Sequence, residues 1–155
     1  MALTLSQLQV LKADIISRGI QAQPETVIAG VYNAVASPSF TVWKTRVTEQ
    51  DMHAAYVWTE MDNLTQARFN QLTLILKPGS INPSTPNIRQ GVQDIFTGAQ
   101  LVNTRTALTA LSKRLATVAE KLFSTGPGDG SNGNPANLVF EGSVSIQDVQ
   151  AALSV

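Results

Sequence analysis

"TRTALTALSKRLATVAEKLF", Thr104 to Phe123, is the most regular stretch of the chain. Leu108, Leu111, Leu115, Val118 and Leu122 recur at spacings of three and four, the repeat of one face of an α-helix. Thr104 supplies a side-chain oxygen suited to an N-cap, and Arg105, Lys113, Arg114 and Lys121 keep to other faces. The pattern predicts one long amphipathic helix over residues 104–123, and with it a mainly α fold. Before it, Thr85 and Pro86 read as the cap and first turn of a helix with Ile88, Val92, Ile95 and Phe96 inward and Gly98 at its end. After it, "STGPGDGSNGNPANLVFEGSVS", Ser124 to Ser145, is rich in glycine, proline and asparagine and reads as a loop. Ser145 with Asp148 then caps a short final helix carrying Val149 and Leu153.

Further out the same grammar repeats. Thr4 with Gln7 opens a helix over about 5–18 with Leu8, Leu11 and Ile15 on one face and Gly19 at its stop. Pro24 opens a second, with Val27, Ile28, Val31 and Val35 as its stripe and Pro38 as its end. "SFTVWKTRV", Ser39 to Val47, favours extended backbone through its Thr, Val, Phe and Trp residues. Thr48 with Asp51 opens a helix through Trp58, and Thr59 with Asp62 repeats the signal, which fits either two helices or one with a bend, the second part running to about Leu76 with Leu64, Phe69, Leu72 and Leu76 inward. The expectation is a bundle of about five to seven helices with short extended segments, in a single domain over 1–155. Residues 124–145 form a flexible loop or arm and 146–155 a helical tail.

Composition narrows the function. Apolar residues make up 43% and charged residues only 14%, against about 25% in ordinary soluble domains. Such a surface buries against neighbours at low desolvation cost, which fits an assembly subunit as well as a neutral monomer. Net charge is zero, so no basic excess marks a broad nucleic-acid footprint. Without cysteine there is no disulfide and no thiolate site, and the longest apolar runs are too short to span a bilayer. The N-terminal residues lack the order of a secretory signal.

Each candidate site has a plain reading beside it. "GPGDG" follows a helix and is not followed by Gly-Lys-Ser/Thr, so it is no phosphate loop; Asn134 and Phe140 stand where a calcium loop needs glycine and glutamate. A mobile surface loop and an arm that orders on a neighbouring subunit both remain open. His53, the only histidine, has Glu49 one helical turn earlier, which suits a surface ion pair better than a metal site. Glu49, Asp51, Glu60 and Asp62 read as helix-start residues. Trp43, flanked by Lys44 and Arg46, is either core or an interface anchor. No cofactor, metal or catalytic residue is expected.

Three blocks, "SPSFTVWKTRV", "VNTRTALTALSKRLATVAEKLFSTGPG" and "NLVFEGSVSIQDVQAAL", together resemble small structural proteins encoded among the virion-assembly genes of tailed bacteriophages. The resemblance runs from about Ala34 to the C-terminus and carries no catalytic motif. It implies a head–tail connector adaptor: a helical subunit of a ring of about twelve copies beneath the portal, at the head–tail junction of the virion and made in the host cytoplasm. Partners would be the portal and neighbouring neck or tail proteins, with non-specific DNA nearby and no membrane. The interface candidates are Trp43, Lys44, Arg46, Phe123, Gly126, Gly128, Asn134 and Phe140. Other virion roles (head decoration, tail completion, tail terminator) and a small nucleic-acid-binding regulator are the alternatives.

Overall fold

The computed structural model describes residues 2–124 and 126–155; Met1 and Thr125, the latter inside the glycine-rich stretch, lie outside the described residues. The fold is mainly α. In chain order the elements are α1 (Leu5–Ser17), α2 (Glu25–Asn33), β1 (Thr41–Trp43), β2 (Val47–Thr48), α3 (Glu49–Ala55), α4 (Trp58–Met61), α5 (Gln66–Leu76), β3 (Ser80–Ile81), α6 (Pro86–Ile95), a 3-10 turn (Ala99–Leu101), α7 (Val102–Leu111), β4 (Lys113–Leu115), α8 (Val118–Leu122) and α9 (Ile146–Ser154). They fall into two compact units. One comprises the chain up to Val42 together with Leu115–Val155; the other, Trp43–Arg114, is an insertion in its sequence. The chain passes between them inside β1 and β4.

The first unit closes on itself through its terminal helices. Thr4 accepts from the Gln7 amide and Gln7 returns the bond to the Thr4 amide, the reciprocal cap expected from sequence. Ser145 and Asp148 do the same for α9. α1 packs on α9, and Leu11, Ile15, Ile28, Tyr32, Ala119, Phe123, Val144, Val149 and Ala152 form the core. Burying each of the larger aliphatic side chains is worth about 1.5–3 kcal/mol. α2 stops at Asn33, one turn before Pro38, so Val35 lies outside the helix and is exposed, as is Val27. The Tyr32 hydroxyl donates to Asp14 at 2.6 Å, and burial with that bond raises its pKa.

The second unit is built around Met52, Leu72, Leu76, Ile95, Phe96, Leu101 and Leu108. β2 and β3 pair antiparallel, Val47 opposite Ile81 and Thr48 opposite Ser80, and the Thr48–Asp51 capping box launches α3. The predicted cap at Thr59 is replaced by Thr65, whose hydroxyl accepts from the Arg68 amide; Thr59 lies inside α4. Phe69, expected inward, is 52% exposed.

Glu60 does more than begin a helix. Its carboxylate accepts from the Asn103 amide (3.2 Å), the Asn103 side chain (2.7 Å) and the Thr104 amide (2.8 Å), so it caps the N-terminus of α7 from another helix. The Thr104 amide chiefly holds its pKa below the usual glutamate range. A depressed folded pKa stabilises at neutral pH and ceases to do so as pH falls through it. Glu60→Gln is therefore expected to lower the thermal midpoint by about 5 °C at pH 7, with a smaller difference below pH 4; calorimetry at both pH values checks it.

The predicted helix over 104–123 is not continuous. α7 begins at Val102, so Thr104 lies inside it, buried. It ends at Leu111; β4 and then α8 follow. In an unbroken helix the Ala116 amide would donate to the Ser112 carbonyl. Here Ala116 donates to Phe40 O at 2.8 Å, and Ser112 O accepts from Lys44 at 2.9 Å. Val118 likewise donates to Ala34 O. Tertiary backbone pairing takes the groups that would have carried the helix on, and a Thr117–Glu120 capping box restarts it. Leu115, third in the apolar stripe, is 52% exposed as a result.

Candidate functional site

In the second unit α3, α4 and α5 leave an open cleft of about 880 Å³. Its lining includes Tyr56, Trp58, Met61, Phe69, Leu74 and Leu76, with Glu49, His53 and Lys77 as charged or titratable members. Three of its apolar residues face solvent: Trp58 is 61% exposed, Phe69 52% and Leu74 71%. The helix starts explain the arrangement. Val57 is extended and caps α4, which turns Trp58 outward, while Leu72 and Leu76 take the inner face of α5 and leave Phe69 and Leu74 outside. Tyr56 stacks edge-on to Trp58 at 5.6 Å and tilts on Phe96 at 5.8 Å, joining the rim to the core. Its hydroxyl is buried without a hydrogen-bond partner among the described residues, and burial, with Glu49 nearby, pushes its pKa up to about 12. His53 lies 3.5 Å from Glu49, both about half exposed, as a surface pair. Among the described residues no three His, Asp or Glu side chains gather as a metal site.

The interface candidates named from sequence divide between the units. Trp43 is half-buried between two cations, the Arg89 guanidinium 4.5 Å and the Lys113 ammonium 5.4 Å from its ring centroid. Arg89 is itself held by the Pro83 and Ser84 carbonyls. Lys44 is half-buried with both backbone groups bonded, to Ser112 and Ser84, and Arg46 is exposed. Phe123 is a core residue of the first unit, 6% exposed, and meets Phe140 edge to face at 5.1 Å. Gly126, Gly128 and Asn134 belong to one closed loop: the Asn134 carbonyl accepts from the Asp129 and Gly130 amides, and Asn137 donates to the Pro127 carbonyl. The loop is fastened to its own unit, since Thr41 donates to Gly130 O and Ala136 to Thr41 O. The four bases of the predicted long helix lie on three elements, Arg105 on α7, Lys113 and Arg114 in β4, and Lys121 on α8, where it donates to the Pro38 carbonyl.

No family model matches the chain, and neither does any curated protein or solved structure. Among the described residues no helix is long and apolar enough to cross a membrane. The cleft gathers Trp58, Phe69 and Leu74, all exposed, around one concavity. Sequence reasoning missed it because Trp58 read as a helix end and Phe69 as part of an inward stripe. The available signal was the density of apolar residues on α5, where Phe69, Leu72, Leu74, Ile75 and Leu76 exceed what one buried face takes up.

Proposed function

We propose that this chain is a structural subunit of a tailed-bacteriophage particle, a head–tail connector adaptor that associates with copies of itself in a ring below the portal and makes or breaks no covalent bond. The three resembling sequence blocks support the viral setting. The single observation that carries the mode of action is the open cleft rimmed by Trp58, Phe69 and Leu74. Exposed aromatic and aliphatic side chains around one concavity mark a surface that gains free energy when covered. The low charge content lowers the cost of covering it. In this reading the portal and adjoining neck or tail proteins contact the ring's two faces, and the glycine-rich segment is a contact element of each subunit. Deleting Gly126 to Asn137 is a poor probe of that segment, because it removes buried Ala136 from the core beside Val42.

Quantitative mass spectrometry of intact particles, with a labelled copy located by electron microscopy, tests the assignment. About a dozen copies at the head–tail junction is the expected result. Hundreds of copies on the shell would make it a decoration protein, and absence from the particle would end the structural reading.

A further inference from the structure

Two dipeptides of the glycine-rich loop carry the same intrinsic chemistry, Asp129–Gly130 and Asn132–Gly133. In each, the main-chain nitrogen of the glycine can reach the side-chain carbonyl carbon of the residue before it and close a five-membered ring. Glycine favours the closure because no side chain crowds that nitrogen or restricts the backbone around it. Asn132–Gly133 is the chain's only Asn-Gly pair. Asn82 and Asn134 precede proline, which has no amide proton to give up.

The fold treats the two pairs differently. The Gly130 amide donates to the Asn134 carbonyl at 3.2 Å, and a Cβ on Gly130 would lie 2.1 Å from the Phe40 ring, so that residue is pinned. The Asp129 carboxylate accepts from the Ser131 amide at 2.8 Å, and its bonds from Ser131 hold its pKa below the usual aspartate range. Ionised at neutral pH, it offers no leaving group for a nitrogen to displace. Gly133 is the reverse case. It is exposed, as is Asn132, and among the described residues its amide donates to no acceptor. Nothing lies within 4 Å of where its Cβ would sit.

We propose that Asn132–Gly133 is a self-modification site, at which the Gly133 nitrogen closes on the Asn132 side chain and water converts the asparagine to aspartate and isoaspartate. Hydroxide takes the Gly133 amide proton, and the nitrogen bonds to the Asn132 side-chain carbonyl carbon. The bond from that carbon to the side-chain nitrogen breaks, and ammonia leaves with a proton from water, which regenerates hydroxide. Water then opens the ring. Attack at the former side-chain carbonyl gives aspartate; attack at the main-chain carbonyl leaves the chain running through the side chain, as isoaspartate. The net change is one water taken up and one ammonia released, with no oxidant or enzyme, so the chemistry does not depend on the viral assignment. Both products add a negative charge to the loop. Isoaspartate also lengthens the main chain between Ser131 and Asn134, whose amide donates to the Ser131 hydroxyl at 3.0 Å. That tip contact is lost, while the fastening of Gly130 and Ala136 to Thr41 lies outside the altered bond.

Peptide mapping by mass spectrometry tests this on the folded full chain, aged for weeks at mildly alkaline pH, with isoaspartate counted by isoaspartyl methyltransferase labelling. Asn132 is expected to be the first asparagine converted, with isoaspartate at that position and none at Asp129. Gly133→Ala, placed in open space, is expected to slow conversion by at least about tenfold with the melting temperature unchanged. Asn132→Gln, which would have to close a six-membered ring, is expected to stay intact. In urea at mildly acidic pH, where the carboxyl is partly protonated and the Gly130 amide is released, isoaspartate is expected at Asp129 as well. If Asn132 stays intact in the folded chain while converting in urea, the loop withholds it and the proposal is wrong. Equal ageing of Gly133→Ala and wild type would remove the Gly133 nitrogen as the attacking group. If Asp129 isomerises in the folded chain as fast as Asn132 converts, the engaged Gly130 amide protects nothing and the contrast between the two pairs fails.

Discussion

Gly128→Ala is expected to remove about 2–4 kcal/mol from the stability of the first unit, while Gly133→Ala, five residues on in the same loop, changes it by less than about 0.5 kcal/mol. Gly128 has φ +100, a conformation side chains other than glycine adopt only under strain. A Cβ there would lie 2.3 Å from the Pro135 carbonyl oxygen and 2.7 Å from the Ala136 Cα. Those are backbone atoms of the opposite limb of the loop and cannot rotate aside. Relief requires the limbs to part, which pulls Ala136 from beneath Val42 and breaks its bond to the Thr41 carbonyl. At Gly130 a Cβ would meet the Phe40 ring, so the next turn of the loop resists movement too. Gly133 has open space around its Cβ position. Urea denaturation of both variants, with limited proteolysis mapped over residues 126–137, measures the contrast. Equal stabilities would show that the loop's packing contributes nothing to the fold.

What the sequence disclosed and withheld follows from the range of the interactions. Caps close within three residues, so Thr4–Gln7, Thr48–Asp51 and Ser145–Asp148 were readable and lie as expected. The extended character of Ser39 to Val47 was readable for the same reason, and β1 and the start of β2 lie there. The break after Leu111 was not. Apolar spacing continued through Leu115 to Leu122, and only the pairing of Ala116 with Phe40 and of Ser112 with Lys44, partners about seventy residues away in sequence, interrupts it. The Thr117–Glu120 capping box was present in the sequence but concealed within the periodic run. Glu60 belongs to the same class: a carboxylate at a helix start whose acceptor capacity is used by a helix more than forty residues on. The cleft was illegible because exposure is a property of the packed unit: Phe69 read as part of an inward stripe and Trp58 as a helix end, yet both face solvent. The loop's fastening was illegible too, since it depends on contact with Phe40 and Thr41.

Asp148→Ala is expected to cost about 2–4 kcal/mol, because one carboxylate performs two jobs. Its Oδ2 accepts from the Ser145 amide (2.9 Å) and hydroxyl (2.6 Å), capping α9; its Oδ1 accepts from the Leu3 amide at 3.2 Å, tying the segment before α1 to the last helix. Only 7% of the residue is exposed, so alanine would leave the Leu3 amide buried and unpaired. The loss then spreads to the α1–α9 packing of Leu11 and Ile15 against Val149 and Ala152, which the Lys12 bond to the Val155 carbonyl also supports. Asp148→Asn keeps an acceptor for Leu3 and should cost about half as much. The two differ from wild type in acid as well. Burial pushes the Asp148 pKa up, but the Ser145 hydroxyl and amide and the Leu3 amide pull it further down, leaving it below the usual aspartate range. The folded state therefore binds that proton less tightly than the unfolded chain. Its stabilisation is complete above the unfolded pKa and is lost as pH falls through the folded one. Denaturation midpoints from pH 6 to pH 2 should fall less steeply for Asp148→Asn than for wild type. Parallel curves would assign the acid sensitivity to Asp51, Glu60 and Asp129, whose pKa values are also depressed, and would reduce Asp148 to a neutral cap.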